Sequence, residues 1–209
     1  TFICYAAANC ESDIIIYAVT KDLSIYSINL TNNSYSLVYS IELITKGFNP
    51  LLLLNITLSK NNKYCFIYER LGENGILIDL SAKKVLKMLK RDGYHNDVSS
   101  YSNLFFEYNN KEYFMYQSEW NKLDVIDLST LEIISNRNLS YESGNYFDYF
   151  HSDIIASDNG EYILCSGWVW QPFAVMYSIK TKKIFENFNE IENSIKDKGF
   201  GFGGYYWDR

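Results

Sequence analysis

Short apolar runs alternate with polar turns along the whole chain. The clearest example lies between residues 153 and 188, where apolar runs at 153–157 and 162–166 flank the turn Asp158-Asn159-Gly160-Glu161. Two such runs around a tight polar turn are a hairpin signal. A third run at 173–179, a polar turn at 180–183 and a fourth run at 184–188 follow. The pattern predicts four antiparallel strands connected as a meander.

The same unit recurs with a period near 49 residues, marked by Tyr64, Tyr113 and Tyr162. A second marker follows each tyrosine: Ile78-Asp79-Leu80-Ser81, Ile126-Asp127-Leu128-Ser129 and Tyr177-Ser178-Ile179-Lys180, with Tyr26-Ser27-Ile28-Asn29 as an earlier copy. We therefore predict four-stranded units at residues 2–40, 52–90, 102–136 and 153–188. Residues 189–198 predict a short helix, and residues 199–209 either begin a further unit or supply a closing strand.

Two turn sequences carry a family resemblance. The turn from Ser157 to Tyr162 resembles the Ser-x-Asp-Gly-x-x turn of WD40-like and YVTN-like repeats. The segment Ile126-Asp127-Leu128-Ser129-Thr130 is similar to the link between the third and fourth strands of those repeats. The resemblance implies an all-β β-propeller of an uncharacterised bacterial type. The Gly-His pair of WD40 repeats is absent, so we expect a propeller without the strict WD40 signature.

Four units of this length occupy nearly all of the 209 residues. A blade needs a neighbour on each side to bury both of its faces. We therefore expect residues 1–209 to form one propeller domain that is a fragment or a partial ring. A compact ring of four or five blades and a half-ring completed by another chain are the alternatives.

The charge balance excludes some partners. The formal net charge is -6 and the pI is near 5.0, whereas binding to nucleic acid or to an anionic membrane requires a basic face. One basic run exists, and we expect it on an exposed outer strand, where lysines discourage pairing between sheet edges. It contains Lys83, Lys84, Lys87, Lys90 and Arg91. We expect no nucleic acid and no membrane as partner, and the sequence assigns no compartment.

Cysteine and histidine residues give little support for catalysis. The four cysteines show no C-x-x-C spacing, and Cys65 and Cys165 fall on strand faces where a free cysteine is usually a buried apolar residue. The two histidines, His95 and His151, are flanked by Asp92, Asp97, Asp148 and Asp153, which leaves an acid-base pair or metal cluster conceivable. We expect no metal and no other cofactor.

The two ends of the predicted meanders differ in composition. One end collects short charged turns, and the other collects long loops rich in aromatic residues. Aromatic loops on a rigid scaffold are typical of binding surfaces, because tyrosine and tryptophan offer large contact area at little entropic cost. The candidate binding residues are Tyr94, His95, Trp120, Tyr146, Tyr149, His151, Trp168 and Trp170. Packing between blades is the alternative interpretation, above all for Trp168 and Trp170.

The sequence thus favours a non-enzymatic scaffold that binds a basic protein or peptide through the loop face that carries the aromatic residues. Two other hypotheses stay open. One is a lactonase-like propeller hydrolase that holds a metal or an acid-base pair in a central channel. The other is a carbohydrate-binding propeller that stacks sugars on tryptophan faces.

Overall fold

The computed structural model describes residues 1–8, 10, 12–41, 53–144, 146–169, 174–198 and 200–202. Its strands form four four-stranded antiparallel sheets, and each sheet pairs its strands in chain order. Two compact units divide the chain, unit 1 at Thr1–Lys90 and unit 2 at Arg91–Arg209. Each unit contains two of the sheets. The predicted all-β architecture of four-stranded meanders is therefore confirmed.

Unit 1 holds the first and second sheets. The strands of the first sheet are β1 (Phe2–Ala7), β2 (Ile15–Thr20), β3 (Ser24–Asn29) and β4 (Ser34–Ser40). Those of the second are β5 (Leu54–Leu58), β6 (Tyr64–Glu69), β7 (Asn74–Asp79) and β8 (Lys84–Lys90). The core of unit 1 lies between apolar faces of these two sheets, with Val19 and Ile25 from the first and Ile67 and Ile76 from the second.

Unit 2 holds the third and fourth sheets and two helices. The strands of the third sheet are β9 (Asn103–Tyr108), β10 (Lys111–Glu119), β11 (Lys122–Asp127) and β12 (Glu132–Ile133). Those of the fourth are β13 (Phe150–Ala156), β14 (Tyr162–Trp168), β15 (Ala174–Lys180) and β16 (Phe200–Phe202). A 3-10 helix spans Tyr141–Ser143, and the α-helices are α1 (Thr181–Glu186) and α2 (Glu190–Lys198). α2 lies within the range 189–198 for which the sequence predicts a helix.

The 49-residue period corresponds to equivalent positions in three sheets. Each marker tyrosine lies in the second strand of its sheet, opposite the end of the third strand: Tyr64 pairs with Asp79, Tyr113 with Asp127 and Tyr162 with Lys180. The register makes Ile179 the equivalent of Ile78 and Ile126, so the sequence alignment of Tyr177 with Ile78 is wrong by two residues. A shift of two residues keeps each side chain on the same sheet face, and alternation therefore could not reveal it.

The turns between first and second strands are built alike in the second and fourth sheets. The Ser157 hydroxyl donates to Asn159 Oδ1 and accepts the Tyr162 N–H, and Ser59 makes the same two bonds with Asn61 and Tyr64. The residue that follows the asparagine has a positive φ in both turns, 70° at Gly160 and 57° at Asn62. Glycine and asparagine tolerate this conformation best, which explains their place in the repeat.

A side-chain oxygen organises the turn between third and fourth strands in three sheets. Oδ1 of Asn29, Asp79 or Asp127 accepts a backbone N–H from a residue two or three positions further on. Four positions after each acceptor stands a residue with positive φ, namely Asn33, Lys83 and Leu131. This Asx-type turn lets the chain reverse directly into the fourth strand.

The fourth sheet lacks this turn because Lys180 occupies the acceptor position and an ammonium group cannot accept hydrogen bonds. The chain continues instead into α1, so the strand predicted at residues 184–188 is wrong. Ile184 is still fully buried, but from a helix. The vacant edge of β15 is taken by β16, whose Gly201 pairs with Val175. Of the segment 199–209, the structure describes only residues 200–202, which form β16; residues 199 and 203–209 lie outside the described residues.

The basic run predicted on an exposed outer strand divides in two. Lys84, Lys87 and Lys90 lie on β8, the outermost strand of the second sheet. For Arg91 the prediction of an exposed position is wrong, because this residue is only 2% exposed. Within the described residues, no helix is long and apolar enough to span a membrane.

Replacement of Asp127 tests the Asx-type turn. Asp127→Ala removes the acceptor of the Ser129 N–H and hydroxyl, and we expect a loss of about 1–2 kcal/mol in unfolding free energy at pH 7. The Ser129 hydroxyl bond lowers the pKa of Asp127. The stabilisation is therefore complete above the unfolded-state pKa near 3.8 and is lost as the pH falls through the lower folded-state pKa. Urea unfolding across the acidic range measures it.

Asp127→Asn is the matched control, because Asn29 accepts the equivalent bonds in the first sheet. This variant should keep most of the stability at pH 7 while losing the acid dependence. Equal losses in the alanine and asparagine variants would contradict the role assigned to the acceptor oxygen.

Candidate binding surface

A buried arginine shapes the loop before β9. The Arg91 guanidinium donates to the carbonyl oxygens of Asn96 and Ser99 and, at 2.8 Å, to Gln117 Oε1 on β10. Its Cζ atom also lies 5.0 Å from the centre of the Tyr101 ring. A planar group with five donors can satisfy several loop carbonyls at once. Arg91 therefore binds the backbone carbonyls of the loop and, through Gln117, fixes the loop to the third sheet.

Asp92 ties the same loop to the turn between β10 and β11. Its N–H donates to the Ser118 carbonyl, and its Oδ2 accepts the Trp120 N–H at 3.0 Å. Burial raises the pKa of this half-buried carboxyl group above its usual value. These bonds bring the rings of Tyr94 and Trp120 to a centroid distance of 5.5 Å.

Seven rings meet at this end of unit 2, and we call them the aromatic cluster: Tyr94, His95, Trp120, Tyr141, Tyr146, Phe150 and Trp168. Phe150 lies at its base, stacked on Trp168 at 3.7 Å with nearly parallel planes. Trp120 contacts Phe150 at 4.5 Å and Tyr146 at 6.2 Å. The contacts run without interruption from buried rings to solvent-exposed ones.

The outer rings of the cluster are accessible. Tyr141 is 79% exposed, Tyr94 55% and Tyr146 37%, His95 is also exposed, and Trp120 is half-buried. Four exposed carboxylates accompany them along the chain, at Asp97, Glu119, Glu142 and Asp148. Lys122 approaches Glu119 to 3.4 Å and offsets part of this charge. The surface therefore combines aromatic faces with a predominantly acidic surround.

Three of the candidate residues are buried. Tyr149 and His151 have no exposed surface, and Trp168 is 5% exposed. Tyr149 and His151 stand two positions apart and point into the core of unit 2 together with Phe147 and Tyr177. For Trp168, the alternative of packing is the correct interpretation. Trp170 lies outside the described residues.

Tyr149 fits its place only because residue 167 is glycine. The Tyr149 hydroxyl donates to the Val175 carbonyl at 3.0 Å, which lays the ring across β14. A Cβ at Gly167 would lie 2.5 Å from Tyr149 Cζ and 2.1 Å from the Phe150 carbonyl oxygen. Gly167 thus leaves room for the Tyr149 ring in the core and for the backbone of Phe150, the first residue of β13.

His151 is a buried neutral side chain. Neither ring nitrogen has a hydrogen-bond partner among the described residues. Burial lowers the pKa of His151 to about 3. The backbone of Asn121 lies nearby, outside hydrogen-bonding geometry, and opposes a smaller part of this decrease. A side chain with no exposed surface cannot act as a base toward an external substrate. In the described part of the chain, no three histidine, cysteine, aspartate or glutamate side chains group as metal ligands.

A buried ion pair supports the segment that leads to the cluster. Arg137 forms a two-point contact with Glu192 of α2, and its guanidinium also donates to the Leu123 carbonyl at 2.6 Å. Both ionic side chains are under 5% exposed. Burial raises the pKa of Glu192, and the Arg137 contact opposes that shift. The sequence gave no signal of this pair, because Arg137 and Glu192 are 55 residues apart and share no motif.

Phe150 and Tyr141 belong to the cluster although sequence reasoning did not select them as candidates. Phe150 begins β13, three residues before the predicted strand start at residue 153, and its place among the aromatic residues of the predicted loop was the available signal. Tyr141 opens the 3-10 helix, which the strand pattern did not predict.

The opposite end of unit 2 carries a groove of about 360 Å³. It lies between the turns that join β9 to β10 and β13 to β14, and its lining includes Glu107, Tyr108, Glu161, Lys180 and Lys182. None of the candidate residues lines it, which agrees with the polar composition of this end.

Comparison with solved structures decides the fold. The chain superposes on Kuenenia stuttgartiensis hydrazine synthase with a TM-score of 0.56 at 11% identity, covering 87% of this chain and 46% of that one. For the β-propeller domain of Cps50 (Swd1) from Myceliophteria thermophila the TM-score is 0.54 at 10% identity, covering 87% of this chain and 52% of that one. This chain has a β-propeller fold. U3-55K is a third match, with a TM-score of 0.51, 12% identity and coverages of 97% and 51%.

This propeller chain spans about half the length of those matched structures. No protein-family model matches its sequence, and no curated protein is significantly similar to it. At such low identity the likeness shows the fold alone.

Gly167→Ala tests the support beneath the cluster. Because the nearest blocking atom, the Phe150 carbonyl oxygen, belongs to the backbone, the contact cannot be relieved by a side-chain rotation, and we expect a loss of about 3 kcal/mol in unfolding free energy. Urea unfolding gives the loss, and near-UV circular dichroism reports the displaced rings. Gly144→Ala is the control: its φ of 74° costs about 1 kcal/mol, and nothing lies within 4 Å of the new Cβ. Similar losses in both variants would contradict the steric explanation.

His151 predicts an acid sensitivity. Its folded-state pKa lies below the unfolded value of 6.5, so the unfolded state binds the additional proton and stability falls as the pH drops below 6.5. Between pH 7 and pH 5, the wild-type protein should lose about 2 kcal/mol relative to His151→Phe. Unfolding free energies of both proteins at the two pH values measure this difference.

The control for His151 is His95→Phe, which changes the other histidine of the sequence, an exposed one. This variant should keep the pH dependence of the wild-type protein. A His151→Phe protein with wild-type pH dependence would show that His151 accepts a proton in the folded state.

Proposed function

We propose that this chain is a non-enzymatic propeller scaffold that binds a basic protein segment or peptide on its aromatic cluster. The observation that carries the proposal is the partial exposure of Tyr94, Trp120 and Tyr146 on a continuous stack of buried rings, in an acidic surround. Large exposed rings at one end of a rigid fold are the usual composition of a binding surface.

Preorganisation supports this function. Arg91 and Asp92 fix the loop that carries Tyr94, and the Phe150–Trp168 stack lies directly beneath Trp120. Binding therefore needs little further ordering of these side chains. Each rotamer-rich side chain that must be immobilised would otherwise cost about 0.5–1.5 kcal/mol.

Charge favours a cationic ligand. Lysine and arginine side chains bind aromatic faces by cation–π contact, worth about 0.5–2 kcal/mol depending on desolvation. The carboxylates of Glu119 and Asp148, next to Trp120 and close to Tyr146, would add attraction for the same groups. The same carboxylates would repel nucleic acid and anionic membranes. A basic peptide is therefore the ligand that the surface fits best.

The test uses a fluorescein-labelled peptide rich in lysine and arginine, with a glutamate-rich peptide as the negative probe. The wild-type protein should bind the basic peptide, and the affinity should fall between about 50 mM and about 500 mM salt, because screening weakens contacts between exposed charges. The double variant Tyr94→Ala/Tyr146→Ala should bind about tenfold more weakly, a difference of about 1.4 kcal/mol. Its melting temperature should change little because both side chains are partly exposed.

Tyr162→Ala is the matched control, since Tyr162 is 39% exposed and begins the strand that Trp168 ends. It should bind like the wild-type protein. Undiminished peptide binding by the Tyr94→Ala/Tyr146→Ala variant would overturn the proposal. Binding of a glycan panel in place of the basic peptide would favour the carbohydrate hypothesis.

A further inference from the structure

The groove at the end of unit 2 opposite the aromatic cluster has the size of a small-molecule site. Its volume of about 360 Å³ lies in the range of about 300–1,000 Å³ that is usual for such sites. Glu107, Tyr108 and Asn109 line it from the third sheet and the turn that follows β9, and Glu161 and Tyr162 line it from the fourth sheet. The groove therefore has walls from two sheets of one unit and room for a small organic molecule.

Packing and hydrogen bonds hold these walls in place. The ring of Tyr108 stacks on Phe185 of α1, with centroids 4.4 Å apart and planes 8° from parallel, and Phe185 also contacts the buried ring of Tyr113 at 4.6 Å. The hydroxyl group of Thr181 donates to the Gly160 carbonyl at 2.6 Å, which joins the start of α1 to the turn between β13 and β14. A ligand would meet a preformed site and would lose little affinity to ordering it.

The charged side chains of the groove do not neutralise one another. The carboxylates of Glu107 and Glu161 are exposed and make no ion pair or hydrogen bond with any residue that the structure describes. Lys180 lies 5.8 Å from the centre of the Tyr162 ring and pairs with neither carboxylate. The groove thus offers two strong acceptors and a strong donor beside an aromatic ring.

The charge balance of the lining selects the type of ligand. Two carboxylates, of Glu107 and Glu161, are matched by two ammonium groups, of Lys180 and Lys182. An anion would be repelled by the first pair and a cation by the second, so neither gains much from the net field. A neutral molecule with both donors and acceptors satisfies all four groups. Hydroxyl groups have both capacities, and an apolar face on the same molecule would suit a tyrosine ring.

We propose that this groove binds a neutral saccharide of one or two rings. A sugar ring combines an apolar face with a rim of hydroxyl groups, which is the combination that the lining selects. Tyr108 and Tyr162 would contact the apolar face, Glu107 and Glu161 would accept hydrogen bonds from the hydroxyl groups, and Lys180 would donate to them. This site shares no residue with the aromatic cluster, so it does not depend on the function proposed for that cluster.

The experiment titrates the protein with maltose, cellobiose, lactose and chitobiose by isothermal calorimetry, with saturation-transfer NMR as a second readout. At least one of these disaccharides should bind with a Kd of about 1 mM or lower. Tyr162→Ala should weaken binding at least about tenfold through loss of the aromatic face, and Glu107→Ala should do so through loss of the acceptor. The affinity should stay constant between about 50 mM and about 500 mM salt, because screening acts on charged ligands.

Tyr35→Ala is the matched control, since Tyr35 is 76% exposed in unit 1 and does not line the groove. It should bind the saccharide like the wild-type protein. Circular dichroism and melting temperature establish that the variants are folded, and the exposed position of Glu107 keeps the test valid if Tyr162→Ala is unstable.

Three results would contradict the proposal. The first is that none of the four disaccharides binds. The second is that binding persists unchanged in Tyr162→Ala or, where that variant does not fold, in Glu107→Ala. The third is that binding is lost in Tyr94→Ala/Tyr146→Ala but kept in Tyr162→Ala, which would assign the saccharide to the aromatic cluster. Binding of the basic peptide is measured separately, so the failure of one proposal is distinguished from the failure of the other.

Discussion

In both units the core forms where one four-stranded sheet faces another, and each remaining feature of the structure is arranged around that contact. Val19 and Ile25 meet Ile67 and Ile76 in unit 1, and a larger apolar cluster joins the third and fourth sheets in unit 2. A sheet with alternating side chains has two faces, and each face that stays apolar requires a cover. The turns, the helices and the aromatic cluster are best understood by how they serve or continue this packing.

The aromatic cluster is the point at which the core of unit 2 continues to the surface. Tyr177, Tyr149 and His151 contact one another inside the unit, and Phe150, the residue between the last two, points to the opposite side and stacks on Trp168. Alternation over residues 149–151 therefore divides one aromatic segment between the core of unit 2 and the buried base of the aromatic cluster. Tyr149 and His151 anchor the start of β13 in the core. β13 in turn places Phe150, which contacts Trp120 of the aromatic cluster.

Buried polar anchors give this surface its definition. Arg91 satisfies the carbonyls of a loop that has no regular secondary structure, and Arg137 joins the segment after β12 to α2. Buried ionic groups contribute less to net stability than their contacts suggest, because their desolvation is costly. Their effect here is conformational, since each holds a connecting segment in one arrangement beside the rings.

The sequence by itself determined the repeat, the order of the strands in the first three sheets and of the first three strands in the fourth, and the location of the aromatic loops at one end of the meander. These features depend on local chemistry: alternation sets the strands, and Ser, Asn, Asp and Gly set the turns. The helix at residues 181–186 depends on both levels. The lack of an acceptor at Lys180 is local, whereas only the tertiary structure shows that the distant strand β16 fills the edge left vacant. Tertiary structure also decided which face each aromatic residue takes, because Tyr149 and Phe150 are adjacent, both aromatic and both buried, and only the packing of the fourth sheet places them on opposite sides. The pair Arg137–Glu192 belongs to the same class, because its two members are 55 residues apart. Arg91 takes most of its partners from its own loop, and only the bond to Gln117 depends on how that loop packs on β10.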